Sequence, residues 1–335
     1  MQSRRDFARF LFSGLAAAAI APAAAYAAAA RLGSQYGGVD VGVCLYNFRD
    51  IARIPDQSAY VDLLIDASVK AGVGLVEINS PYLEPANFLP FQGIPRIQDF
   101  MPPPNPNQPT PRWMTASREE LTAERERIRQ WRLNTPISYF SDIGARFRNA
   151  GLSPFSYVIT FTWDMTDPEI DAIFRHAQAL GVKVFSTNQT KVELGPRLVP
   201  FAERYGMDIG FHNHAQRLNP NEVASIESFE KLFALSPRFK ANLDTGHYVA
   251  ANQDALEFVR KHPTRITHLH MKDRKRDEGP NLKWGQGDTP LRELLLLIKQ
   301  QGLPIPCIVE YEYRGDGSGI EETRACLDFM RQVLA

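Results

Sequence analysis

ANLDTGH (Ala241 to His247) is the stretch on which the fold turns: an apolar β-like run that ends on an aspartate and passes at once into helix-like sequence. The same design recurs around it. GFHNH (Gly210 to His214), THLHMKD (Thr267 to Asp273) and IVEYE (Ile308 to Glu312) are short apolar runs closing on a histidine or a carboxylate. Strands that each end on a polar, chemistry-bearing residue and are separated by helix-length segments describe parallel βα units. In a closed barrel of such units the C-terminal strand ends converge on one site.

Working outward, the alternation covers the chain from Val39 on. Strands are expected at Val39 to Tyr46, Gly74 to Ile78, Ser156 to Thr162, Val182 to Ser186, Met207 to His212, Phe239 to Leu243, Ile266 to Met271 and Cys307 to Tyr311, each followed by amphipathic sequence of helical period. Ser117-Arg-Glu-Glu reads as a capping box, and Gly72 as a helix stop. Eight strand–helix repeats predict a (β/α)8 TIM barrel, α/β in class. It forms a single domain over residues 31–335, with a long insertion after the second strand, from Ser80 to about Pro111. An open doubly wound sheet is the competing architecture, but no glycine-rich phosphate loop follows the first strand.

Residues 1–30 differ in kind. Arg4-Arg5-Asp6-Phe7 precede an alanine-rich apolar run with Ala-x-Ala sites, the pattern of a twin-arginine-type export signal. The expectation is a periplasmic or otherwise exported protein with no stable membrane anchor after cleavage. Lys+Arg and Asp+Glu balance at 38 each. Losing the signal removes Arg4, Arg5, Asp6 and Arg9 and leaves the rest at about −2. Such a balance supplies no basic track for nucleic acid. Cys44, Cys307 and Cys326 are odd in number and widely spaced, so buried free thiols are expected.

Imidazole and carboxylate at neighbouring strand ends suit one divalent ion, Mn²⁺ first, with Mg²⁺, Zn²⁺ or Co²⁺ as alternatives. The ligand candidates are His212 (or His214, on the same strand face), Asp244, His270 and Glu310. His268 alternates with His270 and is expected to pack or hydrogen-bond inside the barrel. Asp273 is a candidate partner for a neighbouring imidazole. Glu310 is the candidate base, and His212 or His247 the partner acid. Glu77, Asn79, His214, Lys272 and Arg274 are candidate substrate contacts. His176 and His262 lie in helical sequence and are expected to face solvent.

DTGH, HLHMKD, the segment from Trp284 to Asp288 and VEYE resemble the xylose isomerase-like barrels of sugar isomerases and epimerases. That superfamily also includes inosose dehydratases and, more distantly, endonuclease IV. The resemblance implies one divalent metal held by Glu, Asp, His and Glu on strands five to eight. Asp244, His270 and Glu310 match the last three, while His212 stands where the epimerases carry a glutamate that is half of their acid/base pair. The activity this resemblance implies is that of an isomerase or epimerase acting on a sugar or keto-sugar through an enediolate, with a homo-oligomer as a possible assembly. A lyase or hydratase eliminating from 3-keto-glycosides is its rival, because elimination needs no symmetric pair of bases. A non-catalytic sugar-binding barrel walled by Trp113, Trp163, Trp284 and Phe211 is the third reading.

Overall fold

The structure is a computed structural model that describes residues 32–85, 115–219 and 221–335. The expected export signal, Trp113 and nearly all of the insertion after the second strand fall outside the described residues. Among the described residues no helix is long and apolar enough to cross a membrane.

Eight parallel strands close on themselves: β1 (Val39–Cys44), β2 (Leu75–Asn79), β3 (Ser153–Val158), β4 (Val184–Thr187), β5 (Asp208–His212), β6 (Phe239–Asp244), β7 (Ile266–Met271) and β8 (Cys307–Val309). Closure is made by β1 pairing with both β2 and β8. A two-residue strand, Gln35–Tyr36, adds antiparallel to β1. This is the expected TIM barrel, with strand bounds shifted from the sequence reading. The third strand begins at Ser153 and ends at Val158, and the last stops at Val309, so Glu310 lies just past its end.

Helices start and stop where their chemistry directs. Asp56 accepts the backbone N–H groups of Ser58 and Ala59 ahead of helix Gln57–Ala71. Ser117 with Glu120 and Ser318 with Glu321 form capping boxes. Gly72 and Gly181 end their helices at φ of 85° and 90°, a region costly for any residue with a Cβ.

The core has two parts. Most apolar side chains lie between the sheet and the helices. A small cluster inside the barrel, Cys44, Leu75, Phe155 and Ile308, floors the interior. It fits because Gly42 is beside it: a Cβ there would come within 2.6 Å of Ile308 Cδ1 and 2.7 Å of Leu75 O. Above that floor the inward positions turn polar, with Glu77, Ser186, His212, Asn242, Asp244, His268 and His270 all buried. Burying this many polar groups is tolerable only if they satisfy one another. All three cysteines are free and buried, as expected.

Phe211 is fully buried and packs edge-on to Phe239 in the outer layer, so it is no sugar wall; Trp284 packs against Phe329. His176 is a second correction. It is buried, stacked on Phe140 with centroids 3.9 Å apart, and burial lowers its pKa to about 4. The helical period around it places it on the inner face, which a reading by residue type overlooks. His262 is half-buried against Phe233 and Phe258.

Candidate functional site

The strand ends of β5 to β8 bring His212, Asp244, His270 and Glu310 together. One donor atom from each lies within 4.8 Å of the others, and all four residues are buried. His212 ends β5 and Asp244 ends β6. His270 is one residue from the end of β7, and Asp244 and His270 are register partners. Register thus sets Asp244 and His270 level, while His212 pairs with Asn242 and His270 with Ile308, two residues before Glu310.

His270 is held from two sides. Its Nε2 donates to Glu77 Oε1 at 2.6 Å and its Nδ1 to Glu310 Oε2 at 2.9 Å. Burial alone would discharge it, but Glu77 and then Glu310 overcome that and raise its pKa well above the ordinary imidazole value. Glu77 is fully buried and its other oxygen accepts from Ser156 at 2.5 Å and from His268 Nε2 at 2.9 Å. Burial opposes its charge, yet His270 and His268 keep it well below the usual carboxylate range. Glu77 therefore spends both oxygens on neighbouring side chains below the mouth. Its expected role as a substrate contact gives way to holding His270. Asn79 likewise turns inward, accepting from the Tyr46 N–H at 3.1 Å and from Cys44 Sγ.

Lys272 is the second cation of the site. It is 1% exposed, and its Nζ lies 2.8 Å from Asp244, 2.9 Å from Glu312 and 3.0 Å from Glu310. The expected contact with substrate oxygens is corrected accordingly: its charge faces three carboxylates. Burial pushes the Asp244 carboxyl up to about 6 against the pull of Lys272. Burial works on Glu310 too, but Lys272 and His270 hold it well below the normal range, so it stays ionised. A Cβ on Gly246 would come within 2.8 Å of Lys272 Cγ and O, which is why DTGH carries glycine beside this lysine.

His247 sits at the mouth with Arg274 Nη1 2.5 Å from Nδ1 and Lys272 Nζ 3.0 Å from Nε2. Burial, reinforced by Lys272, lowers its pKa well below 6.5. Arg274 also donates to Gly279 O. His214 is half-buried and its Nδ1 pairs with Glu222 at 3.2 Å; Glu222 in turn binds Lys191. Alternation alone leaves both His212 and His214 as candidates. In the structure His212 groups with Asp244, His270 and Glu310, whereas His214 groups with His212 and His247. His268 faces Glu77 inside the barrel.

Asp273 does not touch an imidazole. It accepts the backbone N–H groups of Gly285, Gly287 and Thr289 at 2.8, 2.9 and 3.2 Å, and so folds the loop after β7. Three residues escape the sequence reading: Asn213, Asn242 and Ser156. Asn213 pairs through its amide with the backbone N–H and C=O of Asp244 at 2.9 and 3.1 Å, fixing that residue's main chain. Asn242 has a legible signal: two residues before Asp244, it shares that face.

The residues present fit a divalent cation. Two imidazoles and two carboxylates are a competent donor set. Asp244 Oδ2 pairs with Lys272 at 2.8 Å and faces the Nε2 atoms of His212 and His247 at 3.8 and 4.0 Å. Cationic charge from Lys272 and His270 balances the carboxylates now, and a bound ion would take over that balance.

Known proteins share this framework. Among solved structures, the IOLI protein with a bound zinc atom superposes with a TM-score of 0.56 at 14% identity, covering 88% of this chain and 97% of that one. A sugar phosphate isomerase/epimerase from Parabacteroides distasonis gives 0.53 at 18% identity, covering 87% and 95%. Likenesses at this identity establish the fold. An inosose dehydratase of Clostridium perfringens is 30% identical over 89 residues, which are 26% of this chain, so the chain spans only 29% of that relative's length. The barrel is thus a TIM barrel by closure and by superposition, and its residues 192–333, which carry every ligand candidate, match the xylose isomerase-like TIM barrel family.

Proposed function

We propose that the protein is a divalent-metal-dependent lyase acting on a keto-sugar or keto-cyclitol, removing the proton beside a carbonyl and expelling a β-substituent. The observation that carries this reading is that the four grouped residues set an imidazole, His212, and not another glutamate, across from Glu310. Glu310 is ionised and sits at the strand end. His212 is neutral, its pKa lowered by burial, and both nitrogens of His247 face cations. Epimerisation by a route that needs a glutamate on β5 finds His212 there instead. The likeness of part of the chain to inosose dehydratases supports the same reading.

In this reading the Glu310 carboxylate takes the proton from the carbon next to the carbonyl. The electron pair moves onto the carbonyl oxygen, and its return expels the leaving group from the β carbon. Arg274 donates to His247 Nδ1 and Lys272 lies 3.0 Å from Nε2, so burial and two flanking cations hold this ring neutral at the mouth. When bound by His212, Asp244, His270 and Glu310, a divalent ion supplies Lewis-acid stabilisation of the developing oxyanion. Isomerisation is the second reading, because one carboxylate can return the proton to the adjacent carbon on the same face.

Incubating the mature protein with 3-keto-glycosides and ketoses in D₂O tests the proposal. Loss of the substituent supports the lyase, and deuterium in a recovered isomer supports the second reading. Glu310→Gln should lower either activity by at least about 100-fold, as expected for a lost general base, and retained turnover would exclude its role. Export is proposed on the Arg4-Arg5 and alanine-rich pattern; cell fractionation of an Arg4→Lys/Arg5→Lys variant checks it.

A further inference from the structure

His212 approaches Asp244 through Nε2, 3.8 Å from Oδ2. An imidazole ligates only through a nitrogen that carries no proton, and the partner of the other nitrogen decides which one that is. That partner lies on β6. Asn242 is fully buried, and the end of its amide assigned as Nδ2 faces three groups. These are Ser186 Oγ at 2.6 Å, His270 Nε2 at 3.2 Å and His212 Nδ1 at 3.3 Å. The Oδ1 end meets no partner.

The two ends of an amide are told apart by what surrounds them. Two neighbours here call for oxygen at the crowded end. His270 Nε2 carries a proton, because it lies 2.6 Å from the Glu77 carboxylate, so an amide N–H would set donor against donor. The 2.6 Å separation from Ser186 has the length of an O–H···O bond and is short for N–H···O. Half a turn of the amide resolves both and gives the oxygen its partners, with the amide NH₂ then at the end that meets none. His212 Nδ1 then faces an acceptor.

We propose that Asn242 is a positioning residue whose side-chain oxygen holds His212 as the Nδ1–H tautomer and thereby turns a bare Nε2 lone pair toward Asp244 and Glu310. The inference rests on the metal reading of the site for its purpose, though the tautomer itself does not need metal. It also gives the histidine that replaces glutamate a way to act as a neutral ligand. A glutamate at that position needs no such partner, since either carboxylate oxygen can ligate.

The test is a long-range ¹⁵N–¹H correlation spectrum of the metal-free full chain labelled in histidine, with His212 assigned through His212→Gln. The expected result is Nδ1–H; a spectrum showing Nε2–H overturns the proposal. Zinc titration calorimetry then compares Asn242→Leu, which has no acceptor, with Asn242→Asp, which keeps one. Leu should weaken binding by about 10–100-fold and move the proton to Nε2, while Asp stays near the parent. Equal affinities for the two variants would also overturn it. If Asn242→Leu does not fold, the parent spectrum decides. Nδ1–H together with no zinc binding by the parent would uphold the role of Asn242 and remove the metal reading instead.

Discussion

Replacing Lys272 by methionine removes the ammonium from three carboxylates while keeping most of the side-chain volume. Its Nζ lies 2.8 to 3.0 Å from Asp244, Glu312 and Glu310 in a position 1% exposed. At an effective dielectric of about 20, each contact corresponds to about 6 kcal/mol of Coulomb energy. The net effect is far smaller, because the lysine also loses its hydration. Breaking such a buried arrangement by deleting one partner costs about 3–5 kcal/mol. Asp244, already pushed up to about 6, moves further up without Lys272. In the variant the folded state then holds more protons than the unfolded state, so its stability falls as pH rises through that range. Urea unfolding of metal-free Lys272→Met should show a loss of about 3–5 kcal/mol at pH 7.5 and a smaller loss at pH 5.5. Excess divalent ion should stabilise the variant more than the parent, since it replaces the missing charge. A loss below about 1 kcal/mol, the scale of an exposed ion pair, or an equal loss at both pH values, would refute the reasoning.

His176, with its pKa lowered from 6.5 to about 4 by burial, binds its proton less well folded than unfolded. Its contribution is intact above pH 6.5 and is lost as pH falls toward 4, amounting to on the order of 3 kcal/mol. His176→Phe should therefore flatten the acid limb of a stability–pH curve measured by denaturant unfolding. Metal uptake should strengthen with rising pH, because His270, held protonated by Glu77 and Glu310, must release a proton to ligate; pH-dependent calorimetry with proton release into the buffer checks this. Asp273→Ala should cost about 2–3 kcal/mol, on the scale of a hydrogen bond to a charged group, and raise amide exchange at Gly285, Gly287 and Thr289, whose N–H groups it accepts.

The barrel and the grouping of the candidate ligands are both legible along the chain, and for local reasons. Strand period and the helix caps at Ser117 and Gly72 depend on residues a few positions apart, so the alternation of β and α can be read directly. Asp244, His270 and Glu310 can be placed because closure of parallel strands puts their C-terminal ends on one rim. Alternation likewise puts His268 below His270, though not whom it meets.

What the tertiary structure decided is the pairing. Glu77 and His268 are 191 positions apart, and Lys272 stands between three carboxylates from two other segments. No periodicity encodes those distances, since barrel closure alone sets them. That is why Glu77 and Lys272, plausible substrate contacts as isolated residues, became the internal counter-charges of the site. It is also why Asp273, next to a histidine strand, turned to a loop instead. The sequence determined which residues stand at the rim; packing in a water-poor interior, where each buried charge must find an opposite one, determined what each of them holds.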